Sequence, residues 1–256
     1  MSRRAAFVVL LLSSFAFSQI PPPSDPQALS YAAQSMTALI GSNSIGDVTL
    51  TGSVNWSGSD TGTATLMALG TGESRMDLAL GSGTRTEIRD AQTGTQLGKW
   101  VNPDNSSGRY ASQNCWTDAV WFFPALGSLA AGPNAVLSYI GLETRNGAPV
   151  QHIQSYIYQA NWPSGVTPSA QQLSTMDFYL DATTSLPVAI IFNAHPDSDA
   201  SSNISVEADF SNYQSISGVA VPMHIQRYQQ GALMVDLIVT GAAFNTGLSL
   251  STFAVN

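Results

Sequence analysis

From Asp47 onward, apolar and polar residues alternate with a period of two. Val48, Leu50, Val54 and Trp56 fall on one face, and Thr49, Thr51, Ser53 and Asn55 on the other. That is the pattern of strands with one buried side. Gly52 completes the apolar face and marks a bulge or a close backbone approach. The alternation recurs over residues 63–69 and 75–80, more weakly over 84–89, and briefly over 97–101. Ser57-Gly58-Ser59-Asp60, Gly70-Thr71-Gly72, Gly81-Ser82-Gly83 and Thr93-Gly94 separate these runs. Turns this short join only antiparallel neighbours. Strands resume at 151–158 and continue through 176–181, 187–193, 204–210, 222–229 and 233–239, the last two joined across Gln230-Gly231.

Upstream of the strands the period is 3.6. Ser24 or Asp25 caps a helix with Pro26 in its first turn. Leu29, Ala32, Ala33, Met36, Leu39 and Ile40 form its apolar stripe, and Gly41 closes it after about four turns. The strand pattern breaks between Asn114 and Ile140, the most aromatic part of the chain. There the residue types predict one short helix capped by Thr117 or Asp118, carrying Val120, Trp121, Phe122 and Phe123 and ended by Pro124. A second is predicted to open at Pro133, with Val136, Leu137 and Tyr139, bounded by Gly132 and Gly141. Residues 162–174, rich in Ser, Thr, Pro and Gln, read as a loop. The expected architecture is mainly β: a single highly curved antiparallel sheet of about ten strands, an unclosed β-barrel. The N-terminal helix and the short helical insert cover its concave face. No composition break divides it, so residues 25–256 form one domain.

Composition narrows the function classes. Of 256 residues, 44% are hydrophobic and 10% charged, with a formal net charge of −8. Such a surface repels phosphate backbones and anionic headgroups, which argues against nucleic-acid binding and electrostatic membrane docking. A single cysteine, Cys115, excludes an internal disulfide and any thiolate metal cluster. Met1-Ser2-Arg3-Arg4 and the apolar run 5–17 read as a signal peptide over residues 1–18, with Ala16 and Ser18 at positions −3 and −1 of the cut. Residues 19–24, including Pro21-Pro22-Pro23, are then a stiff spacer. No cysteine follows the cut for a lipid anchor, and no later segment is long and apolar enough to span a bilayer. The expected location is periplasmic or secreted.

Candidate chemistry is sparse. His152, His195 and His224 share no ligand spacing, and His195-Pro196-Asp197-Ser198-Asp199 lacks the glycine and bidentate glutamate of a calcium loop. No metal or cofactor is expected. No G-x-S-x-G is present and the serines cluster in turns, so no catalytic residue is assigned. Tyr156, Tyr158, Tyr179 and Tyr228 lie on strands, as a ligand-facing rim or as ordinary strand residues. Asn55-Trp56-Ser57, Asn105-Ser106-Ser107 and Asn203-Ile204-Ser205 match the glycosylation acceptor pattern. The sharpest feature is the insert. Trp121, Phe122, Phe123, Leu126, Leu129, Leu137 and Tyr139 form either a lid over an apolar pocket or a plug completing the core.

The C-terminal third carries a resemblance. Phe210-x-x-Tyr213, Ser217-Gly218-Val219, Val221-Pro222, Ile225, Gly231, Asn245, Leu248 and Phe253 follow Tyr179-x-Asp181-x-x-Thr184-x-Leu186-Pro187. This order is similar to that of the LolA-like and LolB-like periplasmic lipoprotein carriers. It is nearer still to a group of secreted acidobacterial proteins with a Trp-Phe-Phe-Pro insert. The resemblance implies an unclosed barrel with a helical lid over a cavity that in the carriers holds acyl chains. It also implies a buried arginine holding the closed state, for which Arg75, Arg85 and Arg89 are candidates by position. The expected function is non-catalytic binding of a lipid or other apolar molecule. The alternative is a solid half-barrel that contacts an envelope protein and takes no small-molecule ligand.

Overall fold

The computed structural model describes residues 22–90, 97–115, 117, 119–127, 134–158 and 167–255. The leader, Leu129 and Pro133 lie outside the described residues. Helix α1 (Pro26–Ile40) starts where the sequence places it: the Asp25 carboxylate accepts from the Gln27 amide at 2.7 Å, and the Gly41 amide closes the last turn on the Thr37 carbonyl. Its buried row is Ala28, Ala32, Ser35 and Leu39, whereas Leu29, expected on the stripe, is 46% exposed. Small residues face the sheet because the helix lies close against it.

Thirteen strands follow among the described residues: β1 (Asp47–Trp56), β2 (Asp60–Leu69), β3 (Ser74–Leu80), β4 (Gly83–Asp90), β5 (Leu97–Val101), β6 (Ser107–Tyr110), β7 (Ala135–Arg145), β8 (Ala148–Ile157), β9 (Met176–Asp181), β10 (Pro187–Ala194), β11 (Ile204–Ile216), β12 (Val219–Gln229) and β13 (Ala232–Phe244). They form one antiparallel sheet in the order β6-β5-β4-β3-β2-β1-β13-β12-β11-β10-β9-β8-β7. Two meanders, β1–β6 and β7–β13, are thus joined edge to edge where β1 pairs with β13. The outer strands β6 and β7 do not pair with each other, so the barrel stays open. The curl is visible in bonds across the hollow. The Asn114 side chain bonds both the His195 carbonyl (2.7 Å) and the His195 amide (2.8 Å), and the Ala111 amide donates to Asp197. At Gly52 the β1–β13 register shifts, and a Cβ there would lie 2.1 Å from the Ile238 carbonyl oxygen, so only glycine fits the bulge.

Four local expectations are corrected. The expected helix over Val120–Phe123 is a run of turns, bonded Phe123 to Val120, Leu126 to Phe123 and Gly127 to Pro124. Trp121, Phe122 and Phe123 are all buried. Successive helical residues point about 100° apart, so a helix would turn one of the three to solvent. Val136, Leu137 and Tyr139 lie on a strand, not a helix; over so short a run the spacing fits both, and the open edge of β8 decides. The second part of the expected 162–174 loop is helix α2 (Thr167–Ser174). Its described anchors are the buried Ala170 and Ser174, whose hydroxyl donates to the Ala170 carbonyl and accepts from the Ile157 amide, too little to leave an apolar stripe. The expected sheet of about ten strands has thirteen among the described residues; β6 and β7 are the two with no counterpart among the runs read from the sequence.

Candidate functional site

The concave face has two unlike halves. One is apolar. Directly paired residues of antiparallel strands point to the same side, so Val48, Leu50, Leu66, Met76, Leu78, Phe210, Ile225 and Leu237 share the inner face. The 119–127 segment packs its rings into this surface. Phe122 meets Trp121 edge-on with centroids 5.8 Å apart, and Phe123 lies against Phe244 at 5.9 Å. Burying each ring contributes about 3 kcal/mol. Beside the segment lies a cavity of about 180 Å³, bordered by Val120, Trp121, Pro124, Leu126, Met176, Phe178 and Ile190, with the Gly70-Thr71-Gly72 turn at its rim.

The residues expected to form the lid are thus divided. Trp121 and Leu126 border the cavity, while Phe122, Phe123 and Leu137 are core residues that do not. Leu137 and Tyr139 meet α1 instead. The Asp25 amide donates to the Leu137 carbonyl, the Tyr139 ring lies 5.2 Å from that of Tyr31, and the Tyr139 hydroxyl donates to Gln151.

The other half is charged, and the sequence reading missed it. Arg85, Glu87 and Arg89 pair with Leu78, Met76 and Ser74, so all three project onto the core face; Arg227, paired with Val235 and Ala208, joins them from β12. Arg85 lies 2.5 Å from Glu87, and Arg89 lies 3.4 Å from the other carboxylate oxygen and 3.0 Å from the Asn114 carbonyl. Burial alone would raise the Glu87 pKa, yet Arg89, Arg85 and Arg227 hold it at about 2. Burial, reinforced by the charge of Arg89, holds Arg227 below the ordinary guanidinium range. Aromatic faces cover the guanidinium groups: Arg85 over Trp56 at 4.3 Å, Arg89 over Tyr110 at 4.1 Å and Arg227 over Trp121 at 5.3 Å. Of the three positional candidates for a buried arginine, Arg85 and Arg89 face inward, and Arg75 pairs with Asp77 on the other face. The available signal was charge at 85, 87 and 89 in phase with the apolar residues of β3.

Other titratable groups lie apart. On the outer face His152 bridges Glu143 (2.7 Å) and Asp177 (2.8 Å) and stacks on Tyr179, over which Arg145 also sits. This network explains Tyr179 among the acidic residues of that face. Burial opposes protonation of His152, but its two carboxylate partners raise its pKa. Burial and Glu207 push Asp209 up to about 6 against the pull of Arg145. Cys115 is buried, which pushes its thiol up to about 11. Asp199 accepts from the amide and hydroxyl of Ser201, which hold its carboxyl at about 2, so it caps its own turn.

No helix among the described residues is long and apolar enough to cross a membrane. No protein-family model matches the chain, and none of the curated proteins matches its sequence. Solved structures do match in shape. A domain assigned to outer membrane lipoprotein sorting from Vibrio parahaemolyticus superposes with a TM-score of 0.53 at 13% identity, covering 89% of this chain and 96% of that one. A LolA superfamily protein from Nitrosomonas europaea gives 0.53 at 10% identity over 89% and 97%. A DUF1329 family protein from Desulfovibrio piger gives 0.52 at 10% identity over 91% and 98%. The open thirteen-stranded sheet with its N-terminal helix is the LolA-like fold.

Proposed function

We propose that this chain is an exported, non-catalytic carrier-type protein that binds an apolar molecule or acyl chain beneath the 119–127 segment. The observation that carries the reading is the cavity of about 180 Å³ walled by Trp121, Pro124 and Leu126 on one side and Met176, Phe178 and Ile190 on the other. A cavity of this size accommodates a ring or a few methylenes, whereas ligand pockets usually measure ~300–1,000 Å³. Binding a longer chain therefore requires the segment to move outward. Its described backbone is tied by three turn bonds of 3.1–3.2 Å instead of a helical or sheet ladder. The basic-then-apolar start of the sequence supports export, residues 1–18 acting as the leader and 19–24 as the spacer. The likeness of fold to a lipoprotein-sorting domain agrees with a carrier role.

Titration with a neutral, environment-sensitive dye such as Nile red tests the reading. Saturable fluorescence gain is expected, and it should strengthen on Leu126→Ala, which cuts back a wall of the cavity. No binding by either protein rejects the apolar site. The second reading, a solid half-barrel that contacts an envelope protein, rests on the near-complete burial of Phe122 and Phe123 (1% and 0% exposed). It predicts a co-purifying protein from envelope extract and no extractable lipid.

A further inference from the structure

The charged half of the hollow opens at the end of the sheet formed by the β1–β2, β3–β4 and β12–β13 turns, into a cavity of about 460 Å³. Its volume lies within the usual range for small-molecule sites. No residue borders both this cavity and the apolar one. Its wall includes His195, just beyond β10 and 2% exposed. Three bonds fix this residue. The Asn114 side chain, from across the hollow, holds both its amide and its carbonyl, and its Nδ1 donates to the Ser202 carbonyl at 3.0 Å. A carbonyl oxygen only accepts, so the neutral ring carries its proton on Nδ1 and a lone pair on Nε2. Nε2 is buried with no hydrogen-bond partner among the described residues. A buried acceptor left unpaired is costly, and a residue held at backbone and ring does not turn to relieve it. The wall therefore calls for a donor brought from outside the chain.

The rest of the wall narrows what carries that donor. Trp56, paired with Val235, and Trp100, paired with Glu87, both project onto the inner face and border the cavity. Gly108 stands opposite Trp100 on β6, and a Cβ there would lie 2.6 Å from a carbon of the Trp100 ring. Glycine at that position lets the indole lie against the backbone of the last strand. Asn102, Gln229, Arg109 and Asp197 stand around the two rings, so the wall presents donors and acceptors together. The ligand need bring no charge, since Arg85 and Glu87 already pair with each other and Arg85 lies over Trp56. An oxyanion cannot donate to Nε2, and an ammonium group cannot accept from a guanidinium. A hydroxyl does both. Several hydroxyls on a ring whose C–H face can lie on an indole describe a sugar.

We propose that this cavity binds a neutral mono- or disaccharide, one hydroxyl donating to His195 Nε2 and a C–H face of the ring lying on Trp100. The sugar is bound, not cleaved. Nothing in this assignment depends on the apolar cavity, so either site stands if the other fails.

The test is tryptophan fluorescence and calorimetry on the full mature chain. The probes are methyl glucoside, methyl galactoside, N-acetylglucosamine and maltose, with glucitol as the open-chain control. Saturable binding of at least one ring sugar is expected, about tenfold or more tighter than that of glucitol, which has the hydroxyls but no ring face. His195→Phe, which keeps a ring and removes the acceptor, should weaken it about tenfold. Trp100→Leu should weaken it to a similar extent, about tenfold. Arg145→Gln, on the outer face, should leave it unchanged. Near-UV circular dichroism confirms that each variant is folded, and the comparison of ring sugar with glucitol on the wild type keeps the test decisive if a variant is not. Tighter binding of the octyl than of the methyl glycoside, below its micelle concentration and competed by Nile red, would identify the sugar as the headgroup of an amphiphile; equal binding would identify a free saccharide. No saturation of the wild-type protein by any of the ring sugars up to about 50 mM overturns the proposal. So does glucitol binding as tightly as they do, or a folded His195→Phe variant that binds like the wild type.

Discussion

The two halves of the hollow are built from the same strands by opposite means. On the apolar side Trp121, Phe122 and Phe123 are buried, Phe123 against Phe244, and stability comes from removing hydrocarbon from water. On the charged side β4 sets Arg85, Glu87 and Arg89 on the face where β3 sets Leu78 and Met76. Charge there is tolerated only because each guanidinium has a carboxylate, a carbonyl or a ring beside it. The apolar half is filled by its own rings, with about 180 Å³ left over, and the charged half retains about 460 Å³. Hydrocarbon surfaces close on one another without orientation, whereas guanidinium groups of like charge hold each other apart. The half that packs poorly is therefore the one with room for a guest.

This contrast can be broken from either side. The largest effect is expected from Phe123→Ala, which leaves a void among fixed neighbours and should cost about 3–5 kcal/mol, measured by urea unfolding. A loss below about 1 kcal/mol would mean that the segment is a surface flap and not core. Next comes Glu87→Gln, which removes the carboxylate that Arg85 and Arg89 share and should cost about 3 kcal/mol. If unfolding curves of this variant overlay those of the wild type, the charged half is hydrated enough to need no internal anion. Asp25→Ala removes the α1 cap and should cost about 1 kcal/mol, loosening the apolar half alone, as amide exchange in α1 would show.

The smallest effect is that of pH between 5 and 8. His152 and Asp209 both have pKa values raised by folding. Each contributes stability that is fully present below its unfolded pKa and lost as pH rises, for Asp209 through about 6. Glu87, held at about 2, does not titrate in that window. Melting temperature should therefore fall modestly from pH 5 to pH 8, and Asp209→Asn should flatten the slope. An undiminished slope in that variant would move the effect off the outer face.

Much of the sheet was legible in the chain because a strand with one buried face writes its period into the residues. β1, β5 and β9 fall where alternation places them, and Gly52 sits at the bulge its position suggested. The α1 cap at Asp25 and stop at Gly41 were legible for the same local reason. At 120–123 and 136–139 the reading failed. Three consecutive large rings satisfy a helical and an extended pattern equally, and only the hollow they fill selects the turn that buries all three. The lid set was split for a related reason. Trp121 and Leu126 reach the cavity, but Leu137 and Tyr139 are claimed by α1 once β7 pairs with β8.

The sequence by itself determined an antiparallel β-protein with one leading helix and an apolar inner surface, since period and turn chemistry are properties of neighbouring residues. Only the tertiary structure decided that Arg85, Glu87 and Arg89 point inward, because which face of a strand is buried is set by what lies across the hollow, here Asn114 and Arg227. Arg227, more than a hundred residues further along, completes the cluster only when β12 curls across from β4. Long-range pairing fixes electrostatic neighbours, and no local pattern along the chain encodes it.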